Sequence, residues 1–407
     1  FQLLKNAVFM LQLREKMDKC GDYANKMIED CKIFEKLTPD KKYLKRSTSK
    51  ERDGCNTKFD ARSRLINVGH AKKLIERYSK RTFIHKEWTY ENLHEVFWTI
   101  LYQRPNLRKN IVNECKPVNK EYAAYWQRIS TSNASIADVP RDIPMLTGSP
   151  LDDSIVSDGG SFLTFSKEMH ELIFVNTSNL VNEMSVDITK RSEGPDGVTI
   201  AFDAEWSAYE TGPPASILQI SLDDVSYIVD VDVLPRDVIR PFVEMIFSHP
   251  KIHKLGFGYE EDLYELLKAD SLKDCSSLIR PENISCILKL VVALKDESDK
   301  RPNAAEILKE FEVNVGPPRN ESGRGRTFTP SLSSVCESLL GLPLDKREQC
   351  SVWTRRPLRA LQLRYAAMDA FCLLLLHARC KKWAEKLGMP MEEITSISKG
   401  MGKGCCR

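Results

Sequence analysis

"VTIAFDAEWSAYE", residues 198–210, runs apolar through Val198, Ile200 and Phe202 and then presents two acids, Asp203 and Glu205. Its β-branched and aromatic residues suit a buried strand. Side chains alternate along a strand, so Asp203 and Glu205 point to one side of a sheet while Ala204 and Trp206 point to the other. Two carboxylates at that spacing repel each other, and burying them costs several kcal/mol unless a positive charge lies between them. A divalent cation would supply that charge.

Further ligands for such an ion are expected downstream. In "KLGFGYEEDLYELL" (254–267), Asp262 opens a helix whose Leu263, Leu266 and Leu267 face a core, and Gly256 and Gly258 permit a tight entry. In "LQLRYAAMDAFCLLLLH" (361–377), Tyr365 and Asp369 are four apart and share one helix face, while Ala366, Ala370, Leu373 and Leu374 pack inward. Four acids and one phenol can thus converge. Oxygen-only donors suit Mg²⁺ or Mn²⁺ rather than zinc. Two such ions about 3.5 to 4 Å apart clamp the attacking and leaving oxygens of a phosphoryl displacement. Tyr365 would orient the attacking water; with an unperturbed pKa of about 10 it makes a poor general base at neutral pH.

Around these motifs the chain divides by composition. Strand candidates at 172–175, 198–206, 215–222, 226–231 and 251–257 alternate with amphipathic helices, one of them opening at Pro235, which argues for an α/β domain. Residues 1–129 read as a helical domain with Trp88, Trp98 and Trp126 as large core or interface residues, broken by a polar loop at 38–60. Residues 130–161, rich in Ser, Asp, Pro and Gly, mark a linker. The net charge of +3 hides an asymmetry: residues 1–135 carry 28 Lys and Arg against 16 Asp and Glu, a net of +12. Such a surface suits a polyanion, because each cation near a phosphate releases counterions; a solvated helical face explains the charge equally well. Arg319, Arg324 and Arg326, in a Gly- and Pro-rich loop, read as ordinary surface. No apolar run is long enough to span a membrane, and the twelve scattered cysteines show no C-x-x-C spacing, so a reduced intracellular compartment is expected. The chain opens on Phe1, as a fragment of a longer protein would.

The segments "FDAEW", "HKLGFGYEEDLYEL" and "RRPLRALQLRYAAMDA" resemble the three motifs of the DEDD superfamily of 3′-to-5′ exonucleases, in its tyrosine-containing branch, which includes ribonuclease D and the Werner-type exonuclease. The stretch "SLSSVCESLLGLPLDKREQCSVWTRRPL" (331–358) extends the resemblance, and with a basic helical domain ahead of it the whole looks most like the Nibbler exoribonucleases and their nematode mutator-class relatives. The resemblance implies a ribonuclease-H-like fold, a mixed sheet flanked by helices, over residues 162–395, with 396–407 as a tail. It implies Asp203, Glu205, Asp262 and Asp369 as metal ligands for two Mg²⁺ or Mn²⁺ ions, and Tyr365 as the residue that positions water. The histidine-type branch would need a His near 364 or 365, where this chain has Arg364 and Tyr365. The implied activity is removal of single nucleotides from the 3′ end of single-stranded RNA, in trimming of small regulatory RNAs carried by Argonaute or Piwi proteins. Its compartment would be the cytoplasm, the nucleus or RNA granules. A DNA exonuclease and a non-catalytic RNA-binding scaffold are the alternatives, since motifs do not reveal contacts to a 2′-hydroxyl.

Overall fold

A computed structural model describes residues 66–128, 161–165, 170–207, 214–303, 306–307 and 330–400. The expected linker at 130–161, save residue 161, the 38–60 loop and the arginines of 319–326 lie outside them.

Six strands form one mixed sheet: β1 (Glu171–Val175), β2 (Val198–Glu205), β3 (Ile217–Ser221), β4 (Val225–Asp230), β5 (Ile252–Gly256) and β6 (Ile284–Cys286), in the order β1-β4-β3-β2-β5-β6. Only β3 runs against its neighbours; the pairs β1/β4, β2/β5 and β5/β6 are parallel. Strands β3 and β4 are buried along their whole length, the polar Gln219, Ser221, Ser226 and Asp230 included.

Helices cover both faces, as an α/β core requires. One face packs Val181, Met184 and Ile188 of α5 (Ser178–Ser192), Ile239, Phe242, Val243 and Ile246 of α6 (Arg236–Ser248), and α7 (Glu260–Lys268) with α8 (Ser276–Ile279). The other is covered by α9 (Ile287–Asp299), α10 (Leu332–Leu340), the long α11 (Ala360–Lys386) and α12 (Met391–Gly400). Ala204 and Trp206 fall in the first core and Ala201 in the second, so β2 alternates as its sequence requires. This is the expected ribonuclease-H-like arrangement, and its last described helix, α12, ends at Gly400.

Upstream, α1 (Val68–Phe83), α2 (Tyr90–Gln103), a 3₁₀ turn (Pro105–Leu107), α3 (Arg108–Cys115) and α4 (Lys120–Arg128) make a small bundle. Asn67 and Thr89 cap α1 and α2 by accepting from backbone N–H groups of the first turn. The bundle core is aromatic: Trp98, Tyr122, Tyr125 and Trp126 surround a buried His94, whose Nε2 accepts from Trp98 Nε1 at 3.0 Å and whose pKa burial pushes down to about 3. Trp88, Trp98 and Trp126 are all buried in it. Val352, from the segment between α10 and α11, is buried in this same core, so bundle and sheet domain are packed together through that segment.

Candidate active site

Asp203 and Glu205 sit at the carboxyl end of the central strand β2, on the face that α11 crosses. Next to β2 lies β5, and the chain leaving β5 must turn sharply to start α7. Gly258 makes that turn at φ +64°. At Gly256 an added Cβ would lie 2.7 Å from Tyr259 Cβ and 3.1 Å from the Phe202 ring, so only glycine allows the helix to start so close to β2. The result brings Asp262, buried in the first turn of α7, to the strand end. Across the sheet, α11 places Tyr365 and Asp369 over the same point, one turn apart and both buried.

Donor oxygens of Asp203, Glu205 and Asp369 all lie within 4.8 Å of one another, forming one group that could share a metal ion among the described residues. Asp262 lies outside this tight trio, yet its carboxyl and that of Asp203 are close enough for the charge of Asp203 to act on it. Burial is the main cause of the electrostatics. It raises Asp203 to about 7, with the charge of Asp369 adding to the effect. Burial also raises Glu205 and Asp262 well above the carboxylate range, with Asp203 next in both cases. Tyr365 is pushed up by burial and then by Asp369 and Glu205, so its phenol stays protonated and serves as a hydrogen-bonding group rather than a base.

A divalent cation fits this donor set. Asp369 Oδ1 is buried and has no hydrogen-bond partner among the described residues, as expected of a ligand oxygen. The donors are all oxygens, the chemistry of hard cations. All five residues singled out in the sequence therefore come to one place: a trio in ligand contact distance, a fourth acid beside it and the phenol above.

Two neighbours escaped the sequence. Lys346 Nζ donates to Asp369 Oδ2 at 2.7 Å and lies 3.5 Å from the Tyr365 hydroxyl. Gln219 pairs directly with Asp203 across β2 and β3, hence on the same face, and its fully buried amide has no partner among the described residues. The register signal was there, but only once the strand pairing is known. Trp353 is fully buried with its ring 5.9 Å from that of Tyr365, and His253 meets Ser285 Oγ at 2.9 Å. A cavity of about 560 Å³ opens between α5 and α6, lined by Val181, Lys190 and Phe242 among others, but none of the five site residues lines it.

An acid trio at the end of the central strand of a mixed sheet, roofed by a helix bearing a tyrosine, defines a cation-dependent hydrolase site of the nuclease kind. The chain belongs to the 3′-5′ exonuclease family, whose model matches residues 173–383, a span that contains all five residues. Divalent metal dependence goes with that family and with the acidic cluster. The chain is similar to the mosquito Aedes aegypti exonuclease mut-7 homologue, 29% identical over 198 residues, which cover 48% of this chain and 25% of that protein. It is 25% identical over 326 residues to Caenorhabditis elegans exonuclease mut-7, covering 73% of this chain and 33% of the relative. The crystal structure of the Aedes aegypti Nibbler EXO domain aligns with a TM-score of 0.44 and 26% identity over 58% of this chain and 98% of that one. The chain thus matches about a quarter to a third of the length of these two mut-7 relatives. Among the described residues no helix is long and apolar enough to cross a membrane.

Proposed function

We propose that this chain is a 3′-to-5′ exoribonuclease that removes single nucleotides from the 3′ end of single-stranded RNA, using two Mg²⁺ or Mn²⁺ ions. The observation that carries it is the trio of half-buried Asp203 with buried Glu205 and Asp369, one of whose ligand oxygens is unpartnered. When bound, the ions would polarise the scissile phosphate and lower the pKa of the attacking water. Asp203, Glu205, Asp262 and Asp369 would hold them, and burial of those acids excludes bulk water from the reacting oxygens. Tyr365 would accept or donate one hydrogen bond to the nucleophile and fix its line of approach.

RNA as substrate rests on the motif resemblance and on the basic N-terminal third, whose exposed Lys72, Lys73 and Arg77 on α1 offer phosphate contacts. The same resemblance supports trimming of small regulatory RNAs, with the helical domain of 1–129 meeting the RNA or an Argonaute- or Piwi-type carrier. Free thiols at Cys115, Cys275, Cys336, Cys372 and Cys380 accord with work in the cytoplasm, nucleus or RNA granules.

The test is a time course on end-labelled single-stranded RNA and its DNA counterpart, with Mg²⁺, Mn²⁺ or chelator, beside Glu205→Gln and Asp369→Asn. A ladder shrinking by single nucleotides from the 3′ end of RNA is expected, lost with chelator and reduced more than about 100-fold in either variant. Equal trimming of DNA would overturn the RNA preference, and intact RNA under every condition would overturn the enzyme.

A further inference from the structure

The acid cluster already has a cation of its own. We propose that Lys346 is a resident counter-cation of the cluster, seated on Asp369 by the helical bundle, and that it competes with divalent metal for that carboxylate. The proposal rests on the metal-site reading above and deepens it.

Lys346 stands on the strap of residues 344–359 that joins α10 to α11. Its neighbours are fixed on both sides. Upstream, Leu344 N donates to Ser333 Oγ at 3.0 Å, while Ser333 Oγ lies 3.3 Å from Leu344 O. Downstream, Asn92 Nδ2 of α2 donates to Arg347 O at 3.0 Å, and Thr89 Oγ1 of the same helix end donates to Glu348 Oε1 at 3.1 Å. Glu348 is in turn paired with Arg359, whose Nη2 lies 2.6 Å from it, at the N-cap of the very helix that carries Tyr365 and Asp369. Glu95, one turn on from Asn92, is ion-paired with both Arg355 and Arg359. Farther along, Trp353 N donates to Ser207 Oγ at 2.9 Å, just past the end of β2. Ser333 of α10 therefore holds the strap upstream of Lys346, and the amino end of α2 holds it downstream.

Its seat is poised for competition rather than for structure alone. The ammonium takes Oδ2 of Asp369, the sister of the unpartnered Oδ1, and its ring contact places it 5.1 Å from the Tyr365 centroid. At 2.7 Å from Oδ2 the ammonium is the ion-pair partner of that carboxylate. A fixed positive charge on one ligand lowers the affinity of the remaining set for a second cation, and in the metal-free protein it relieves part of the repulsion among the acids.

Mn²⁺ binding measured calorimetrically without RNA, at about pH 8 and so above the ordinary carboxyl range, tests the proposal in the whole chain. Lys346→Met is expected to bind Mn²⁺ about tenfold more tightly than wild type, about 1.4 kcal/mol, and to show a larger rise in Tm on adding Mn²⁺. Lys346→Arg, which keeps the charge, is expected to return towards the wild-type affinity. Asn92→Ala, which frees the strap without touching the cluster, should shift affinity in the same direction by about two- to threefold, a smaller change in the same linkage sense. Equal or weaker Mn²⁺ binding in Lys346→Met, with wild type binding normally, overturns this proposal and leaves the metal-site reading intact. A wild-type value in Asn92→Ala overturns the role given to the bundle. No binding in any of the proteins overturns both this proposal and the reading on which it rests. Should Lys346→Met not fold, Lys346→Gln, of intermediate length and no charge, is read by the same criteria.

Discussion

Removing one negative charge from the cluster should make the metal-free protein more stable, and only at alkaline pH. Asp203 has its pKa raised from 3.8 to about 7, chiefly by burial and then by Asp369. Because the folded-state pKa lies above the unfolded one, the stability linked to this group is fully present below about pH 4 and is lost as pH rises through about 7. A shift of about three units at about 1.4 kcal/mol each gives a penalty of about 4 kcal/mol for ionised Asp203. An asparagine still carries the cost of a buried amide, so Asp203→Asn is expected to recover about half, or about 2 kcal/mol. For a domain of this size that is a rise in Tm of about 4 to 8 °C. The assay is thermal unfolding of wild type and Asp203→Asn in chelator, from about pH 5 to about pH 8.5. The two curves should meet at the acid end and part at the alkaline end, and excess Mn²⁺ should reverse their order, since only wild type gains from binding. A difference in Tm that does not change with pH, or a variant less stable at the alkaline end, would show that the cost of ionising Asp203 in its burial does not govern the stability of this site.

Tyr365→Phe keeps the ring and removes the hydroxyl, so turnover should fall by about 100-fold while calorimetric Mn²⁺ affinity stays near wild type; a lost affinity would make Tyr365 part of the metal site instead. Gly256→Ala forces a methyl to within 2.7 Å of Tyr259 Cβ, and is expected to cost about 1 to 3 kcal/mol in chemical denaturation and to weaken metal binding by shifting Asp262. Neutralising Lys72, Lys73 and Arg77 of α1 together, all exposed, should lower the salt dependence of single-stranded RNA binding by about two in log–log slope, with metal affinity unchanged; an unaltered slope would take α1 out of the RNA path.

What the sequence disclosed of the site was whatever a local period could carry. Asp203 and Glu205 are two apart on a strand, Tyr365 and Asp369 four apart on a helix, and Asp262 follows glycines that announce a tight turn; each spacing fixes a face without knowledge of the rest. The strands at 198–205, 217–221, 225–230 and 252–256 were legible for the same reason, being short apolar runs between turn residues. Lys346 was not, because its segment has no period and its partner lies 23 residues away. Gln219 sat unnoticed in an apolar strand, since it faces Asp203 only through the β2–β3 register. Glu95 looked like one more charge on a helix, and its burial against Arg355 and Arg359 depends on how two units meet, which composition does not encode.

That meeting has a consequence for how this protein can be taken apart. The break in composition at 130–161 is a covalent seam, yet the energetic seam lies elsewhere, because Val352 of the catalytic half is buried in the core of the helices on the far side of it and Arg355 and Arg359 pair with Glu95 there. Cutting at the seam would open a greasy scar and leave half-buried Arg355 without Glu95, while Arg359 would keep Glu348. The halves are therefore poor currency for exchange between relatives: a nuclease half grafted onto a foreign helical partner would arrive with its strap unmoored, unless threonine, asparagine and glutamate travel with it at the positions of Thr89, Asn92 and Glu95.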